Sequence, residues 1–263
     1  MSERSDADRV IDLSVEVPGT PEQVWQAVAT GPGISSWFVP HEVEERQGGQ
    51  VRMDFGGGFT EGAAVTAWEP SRRVTFQGEG DRALAFEWLV EARDGGSCVV
   101  RLVNTGFGPG EDWDADYHGM SEGWPLFLEN LRLHLTHFRG QRARAVLPTG
   151  MVPGTRDSVF EAACAALGVR PDLAPGDRLE ASAPGAPPLA GAVATAVTTA
   201  GTRAYHLVVD HPAPGTAFLS SESAGGLVGL SLWLYLYGGA ATDLPDVWSP
   251  FLTALAERLT PTS

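Results

Sequence analysis

Three side chains close to position 120 are suited to acid–base chemistry. His118 and Glu122 lie four residues apart, so on a helix they share one face, and Tyr117 lies beside them. Such a group can donate and accept protons in a reaction. Helix capping and a surface ion pair would use the same residues, so the sequence leaves both interpretations open.

Two nearby patterns resemble metal sites only in part. The acids that follow Asp112 fit the first positions of a calcium loop, but Tyr117 stands where glycine is needed and Gly123 where glutamate is needed. His134 and His137 lie one helical turn apart without a third ligand at a suitable spacing. We therefore predict no metal site, and the sequence indicates no cofactor.

The sequence lacks the motif of a phosphate loop. The glycine-rich Gly56–Phe59 has no Lys-Ser/Thr pair after it. Gly56–Phe59 is typical of a hairpin turn or of the rim of a cavity. Cys98, in a predicted strand, and Cys164, in an apolar helix, are predicted to be core residues rather than nucleophiles.

Aromatic residues are frequent on the faces that the periodicity predicts to be internal. An aromatic-rich concave interior suits a flat or apolar ligand, although a filled core would use the same residues. Asn104, at the end of a strand, and His118 are the polar members of the predicted ligand-binding set. Its aromatic members are Trp37, Phe38, Phe76, Phe86, Trp88, Trp124 and Phe127.

The charge of the chain limits the classes of partner. Its 263 residues carry a formal net charge of -15, and a surface of this sign repels phosphate groups. This argues against nucleic acid and anionic membranes as partners. The uncharged Gly225–Ala241 is too short for a membrane helix and holds five glycines, so we predict a buried strand and a cytoplasmic protein.

The periodicity also predicts the elements that position these side chains. A strand over Arg9–Val17 precedes a helix capped by Thr20, and a second short helix is predicted over Ile34–Phe38. Alternating segments between positions 41 and 107 predict an antiparallel meander, and a long helix is predicted from His118 to about Gly140. The predicted class is α+β, a curved antiparallel sheet wrapped around one long helix.

Two internal echoes indicate a duplication. The letters VPGT occur at Val17–Thr20 and again at Val152–Thr155, an offset of 135 residues. The pattern W-x-x-F-L-x-x-L-x-x-x-L occurs at Trp124–Leu135 and again at Trp248–Leu259, an offset of 124 residues. We therefore predict two domains, 1–140 and 141–263, with a shortened middle in the second.

The first half resembles the SRPBCC (START-like, helix-grip) superfamily, and within it the heat-shock-protein-90 ATPase activator homology family. The resemblance rests on VPGTPEQVWQAVATGPGISSWF, GGQVRMDF, GAAVTAWEPSRRVTFQGE, SCVVRLVNTGFG and HGMSEGWPLFLENL, in that order. It implies a hydrophobic cavity between the sheet and the terminal helix. The second half resembles the fold in element order only, and it is predicted to be a degenerate copy, since Val247 replaces the glycine before Trp248 and SSWF has no counterpart.

The leading prediction is that the first domain binds a small hydrophobic molecule in this cavity. One alternative is an enzyme of the polyketide cyclase or dehydratase kind with His118, Glu122 or Tyr117 as the acid–base group. The other is a co-chaperone that stimulates a chaperone ATPase. Because both faces of Leu227–Tyr237 are apolar or aromatic, that strand is predicted to pack against the first domain or a second subunit in a homodimer.

Overall fold

The chain folds into two compact units, Met1–Gly140 and Gln141–Ser263, each with its own antiparallel sheet and helices. The computed structural model describes residues 9–56, 58–80 and 83–260, with the backbone alone at 111 and 112. The α+β class and the tandem helix-grip architecture predicted from the sequence are confirmed. Within the described residues no helix is both long and apolar enough to span a membrane.

The first unit contains a seven-stranded antiparallel sheet in the order β1-β7-β6-β5-β4-β3-β2. Side chains alternate between its faces. Leu102 and Asn104 of the strand Ser97–Phe107 are fully buried, whereas Arg101 just before them is exposed and pairs with Asp12. The strands are β1 (Arg9–Pro18), β2 (His41–Val43), β3 (Gln50–Asp54), β4 (Thr60–Glu69), β5 (Arg73–Gly78), β6 (Ala85–Arg93) and β7 (Ser97–Phe107).

Two short helices follow β1. Helix α1 (Pro21–Ala29) has the predicted capping box, in which Thr20 and Gln23 satisfy each other's backbone N–H groups. Helix α2 spans Gly31–Ile34, so the prediction of a helix over Ile34–Phe38 was wrong. The glycine-rich segment forms the helix instead because the Thr30 hydroxyl accepts a hydrogen bond from the Gly33 N–H and caps it.

The long helix α3 spans Glu111–His137, so it begins seven residues before the predicted start at His118. Its first turns pack on the end of β7, where the Phe107 ring lies 6.2 Å from that of Trp113 and 5.2 Å from that of Tyr117. This tertiary contact favours helix where the acidic sequence resembles a loop. His118 therefore lies inside the helix, which removes the capping interpretation.

The second unit has the sheet order β10-β11-β12-β13-β14, and two short strands pair with β14 on its other edge. These are β8 and β9. The strands are β8 (Ala143–Val146), β9 (Thr149–Val152), β10 (Arg178–Glu180), β11 (Ala190–Thr198), β12 (Thr202–His211), β13 (Gly215–Ala224) and β14 (Leu227–Tyr237), and the helices are α4 (Arg156–Leu167), α5 (Gly239–Thr242) and α6 (Trp248–Leu259).

Two features of the second unit refine the sequence predictions. Strand β14 lies inside the sheet, and its leucines Leu230, Leu232 and Leu234 are fully buried in the core of the unit. Contact of its other face with the first unit or a second subunit stays a prediction. Helix α6 begins at Trp248, the first residue of the repeated pattern, where the Asp246 carboxylate accepts the N–H groups of Trp248 and Ser249 in the first turn.

The repeated VPGT segment forms the same strand-to-helix corner in both units. Thr20 and Thr155 are both N-caps in extended conformation. Gly19 and Gly154 before them have φ angles of 133° and 135°, which L residues with a side chain rarely adopt. The corner needs glycine at this position, so the echo records a shared backbone geometry.

Candidate functional site

An aromatic cluster fills the space between the first sheet and helix α3. Phe38, which follows α2, lies at its centre. Its ring centroid is 5.2 Å from that of Trp124 and 4.6 Å from that of Phe127, both on α3. The α2 turn and the long helix thus supply one side of the cluster.

Strand β6 supplies the other side. The Trp88 ring lies 5.6 Å from both Trp37 and Trp124, and the Phe86 ring lies 5.9 Å from Trp124. Trp37 is held in place because its indole N–H donates to the Ala27 carbonyl at 2.8 Å. Six predicted ligand-binding residues therefore meet in one aromatic cluster, namely Trp37, Phe38, Phe86, Trp88, Trp124 and Phe127.

The aromatic cluster continues to the surface through the turn between β3 and β4. Phe38 contacts Phe55 at 6.5 Å, and Phe55 contacts Phe59 at 5.7 Å. Trp37 is 0% exposed, whereas Phe55 and Phe59 are 40% and 59% exposed. Sequence reasoning predicted a hairpin turn or a cavity rim here, but it missed both phenylalanines as members of the site.

The remaining predicted residues of the concave face flank Phe86. Phe76 is its cross-strand partner on β5, and Asn104 is its partner on β7. The Asn104 Nδ2 donates to the Ala85 carbonyl at 3.1 Å, while its Oδ1 has no hydrogen-bond partner among the described residues. Asn104 is 0% exposed, so it presents a buried and unsatisfied acceptor beside the aromatic cluster.

His41 is a buried polar group that sequence reasoning missed. Its ring lies 5.7 Å from that of Phe38, and its Nδ1 is 2.7 Å from the Val39 carbonyl oxygen. A carbonyl can only accept, so Nδ1 carries the proton. Burial lowers the pKa of His41 to about 4, against the opposing effect of the hydrogen bond to Val39. The ring is therefore neutral at physiological pH, and Nε2 is an acceptor. The sequence signal that could have indicated His41 was its position as the first residue of a short strand.

Glu61 lies on the same face of the sheet as His41, at the edge of the site. It pairs across the sheet with Met53, which pairs in turn with His41. Partial desolvation raises the pKa of the Glu61 carboxyl, and the charge of Asp116 on α3 adds to this. The rim beside α3 is therefore acidic.

The predicted acid–base group lies outside the aromatic cluster. His118 is exposed, and the ring contact it makes is with Tyr117, at 5.8 Å between centroids. The Tyr117 hydroxyl donates to the Val10 carbonyl at 3.4 Å. Glu122 is partly buried on the same helix. The structure thus places His118 at the surface of α3, apart from the other predicted ligand-binding residues.

Of the remaining chemical candidates, the two cysteines and His134 are buried, whereas His137 is exposed. Burial raises the pKa of the Cys164 thiol to about 12 and also raises the pKa of Cys98, so both stay protonated. Burial lowers the pKa of His134 to about 4. No group of three or more potential metal ligands occurs in the part of the chain that the structure describes.

Comparison with known proteins finds a family model that matches most of the first unit. Residues 18–136 match the family model described as activator of Hsp90 ATPase homolog 1-like protein. No curated protein matches the chain.

Three solved structures illustrate the range of similar proteins. DynU16 of the dynemicin biosynthetic locus is 16% identical over 96% of this chain and 100% of its own, with a TM-score of 0.45. The di-domain ARO/CYC BexL of the BE-7585A biosynthetic pathway is 15% identical over 95% of this chain and 94% of its own, with a TM-score of 0.45. The Aha1 dimer from Colwellia psychrerythraea is 20% identical over 50% of this chain and 98% of its own, with a TM-score of 0.43.

The family match runs from the VPGT corner through almost the whole of helix α3, and it includes every residue of the aromatic cluster. Over residues 18–136 the resemblance seen in the sequence is thereby confirmed, since this part of the chain matches the model of the activator of Hsp90 ATPase homolog 1-like family.

Proposed function

We propose that the first unit binds a small, apolar, ring-containing molecule against the aromatic cluster. The observation that carries the proposal is the continuity of ring contacts from the fully buried Trp37 to the exposed Phe55 and Phe59. Exposed aromatic side chains that adjoin a buried aromatic interior are typical of binding sites. A flat ligand would extend these contacts and remove the two phenylalanines from water.

The turn that carries these phenylalanines has room to adjust to a ligand. Gly56 and Gly58 have φ angles of 84° and 83°, and no heavy atom of the described chain lies within 4 Å of the position that a Cβ would take at either residue. A turn with few packing contacts rearranges at low cost. Phe55 and Phe59 can therefore close over a bound ring.

The test is a fluorescence titration of the full chain with N-phenyl-1-naphthylamine, a neutral probe that becomes emissive in apolar surroundings. We expect saturable binding, and Phe59→Ala should weaken it about fivefold, since one aromatic contact is worth about 1 kcal/mol. The control is Met151→Ala, a side chain of the second unit that is 49% exposed, and it should leave the affinity unchanged. Equal affinities in both variants would contradict the proposal.

A second proposal rests on the family match alone. The description of the family supports stimulation of a chaperone ATPase, and the test is the ATPase rate of an Hsp90 with and without the full chain, in the absence of any ligand. A rise in rate without ligand supports this role; an unchanged rate contradicts it. The cyclase- or dehydratase-like activity stays a prediction, and His118→Ala would test it through loss of turnover with retained probe affinity.

A further inference from the structure

Several polar side chains around the aromatic cluster present hydrogen-bond acceptors. The orientation of the Asn104 amide is fixed because its Nδ2 donates to the Ala85 carbonyl, so the other amide atom is the acceptor Oδ1. His41 Nε2 is an acceptor because Nδ1 holds the ring proton against Val39. The Glu61 carboxylate and Asp116 add acceptors at the rim. Each of these atoms can accept a hydrogen bond from a ligand.

Asn104 is a buried acceptor without a partner. Its side chain is fully buried, and its Oδ1 has no partner among the described residues. An acceptor in this state has lost its hydrogen bonds to water without replacement. Phe86 stands directly opposite Asn104 in the sheet and touches Trp124 of α3, so Asn104 lies one strand away from a member of the aromatic cluster and on the same face of the sheet.

From these positions we infer that the ligand is a neutral planar ring system that carries a hydroxyl or amine donor, and that Asn104 Oδ1 selects it by accepting that hydrogen. The inference rests on the proposed binding function and specifies its ligand class. An ether or carbonyl at the same position would leave the Asn104 oxygen unpaired. A carboxylate would add repulsion from Glu61 and Asp116.

The test compares three ligands of one shape in calorimetric titrations of the full chain at neutral pH. They are 2-naphthol, 2-methoxynaphthalene and 2-naphthoate, which offer a donor, an acceptor and an anion on the same rings. We expect 2-naphthol to bind about tenfold more tightly than the ether, as one satisfied buried hydrogen bond allows, and the anion to bind most weakly. The ether is the more apolar molecule, so burial alone would give the opposite order.

The variant Asn104→Leu keeps the approximate size of the side chain and removes the acceptor. The naphthol-to-ether preference should disappear, while affinity for the ether is retained and shows that the site is still folded. The control is Thr105→Val, one position further on the strand and on the opposite face, and it should preserve the tenfold preference.

The outcomes separate the two proposals. If naphthol and ether bind the unaltered chain equally, the donor selection is overturned and the binding function stands. If none of the three ligands binds, the binding function is overturned and the donor selection with it. If the preference survives Asn104→Leu, Asn104 is not the selecting residue.

Discussion

The two units use the same strand-to-helix corner and end on a comparable helix pattern, but they fill their interiors differently. In the first unit, rings contact one another from Trp37 to the surface at Phe59. In the second unit, the core consists mainly of leucine, valine and alanine and is closed at Trp248, whose indole N–H donates to the Pro188 carbonyl at 3.1 Å. A duplicated frame thus supports one aromatic interior that reaches the surface and one aliphatic interior.

The terminal helices of the two units also differ, in their length and in where they begin. Helix α3 has 27 residues, and its N-terminal half supplies Asp116 and Tyr117 beyond the shared pattern. Helix α6 has 12 residues and starts at the tryptophan of the pattern itself. The second unit therefore lacks the helical segment that forms the rim in the first. We propose that it is a structural copy without a ligand site.

The largest expected effect comes from the paired tryptophans. Trp124→Ala and Trp248→Ala should each lower the free energy of unfolding by about 3–5 kcal/mol, as large-to-small core changes do. Because Trp124 touches the rings of Phe38, Phe86 and Trp88, only its replacement should change the affinity for N-phenyl-1-naphthylamine. Urea unfolding and probe titration measure the two quantities. An equal change in probe affinity for both variants would break the contrast between the units.

A smaller effect on the free energy of unfolding is expected when the pH is lowered, because the first unit contains buried histidines. The folded-state pKa of His41 is about 4, below the ordinary value of 6.5, so the unfolded chain binds more protons between these values. Stability therefore falls as the pH drops from 6.5 towards 4, by at most about 3 kcal/mol for this group. His134 has the same shift and adds to the fall.

Urea unfolding across this pH range checks the assignment. His41→Gln should remove about half of the pH dependence, since His134 supplies the rest. The matched control is His137→Gln, an exposed position on α3, which should leave the slope as it is. An unchanged slope in His41→Gln would show that His41 does not carry this part of the pH dependence.

How much the sequence predicts depends on the range of the interactions that decide each feature. The alternation around Phe86 and Asn104 and the cap at Thr20 are local, and the structure has them as predicted. The predicted start of α3 was wrong. Contacts of Trp113 and Tyr117 with Phe107 stabilise helix in an acidic stretch whose sequence resembles a loop.

The missed site residues depend on pairings that no local pattern contains. His41 joins the site because α2 places Phe38 against it and β3 fixes its register. Phe55 and Phe59 join it because a glycine turn folds one ring onto the other. The alternation of residues in a strand predicts which side chains share a face of the sheet. It does not predict which distant strand or turn lies next to that strand.

The smallest expected effect tests what the units share. The Thr20 and Thr155 side chains each accept a hydrogen bond from the third residue of their helix, Gln23 at 3.4 Å and Ser158 at 3.2 Å. Thr20→Ala and Thr155→Ala should therefore cost about 1 kcal/mol each in urea unfolding, the usual value for a lost N-cap. Neither should alter probe affinity, because neither side chain belongs to the aromatic cluster. Similar costs fit a common frame, whereas a large cost at one corner alone would show that the two units rely on it differently.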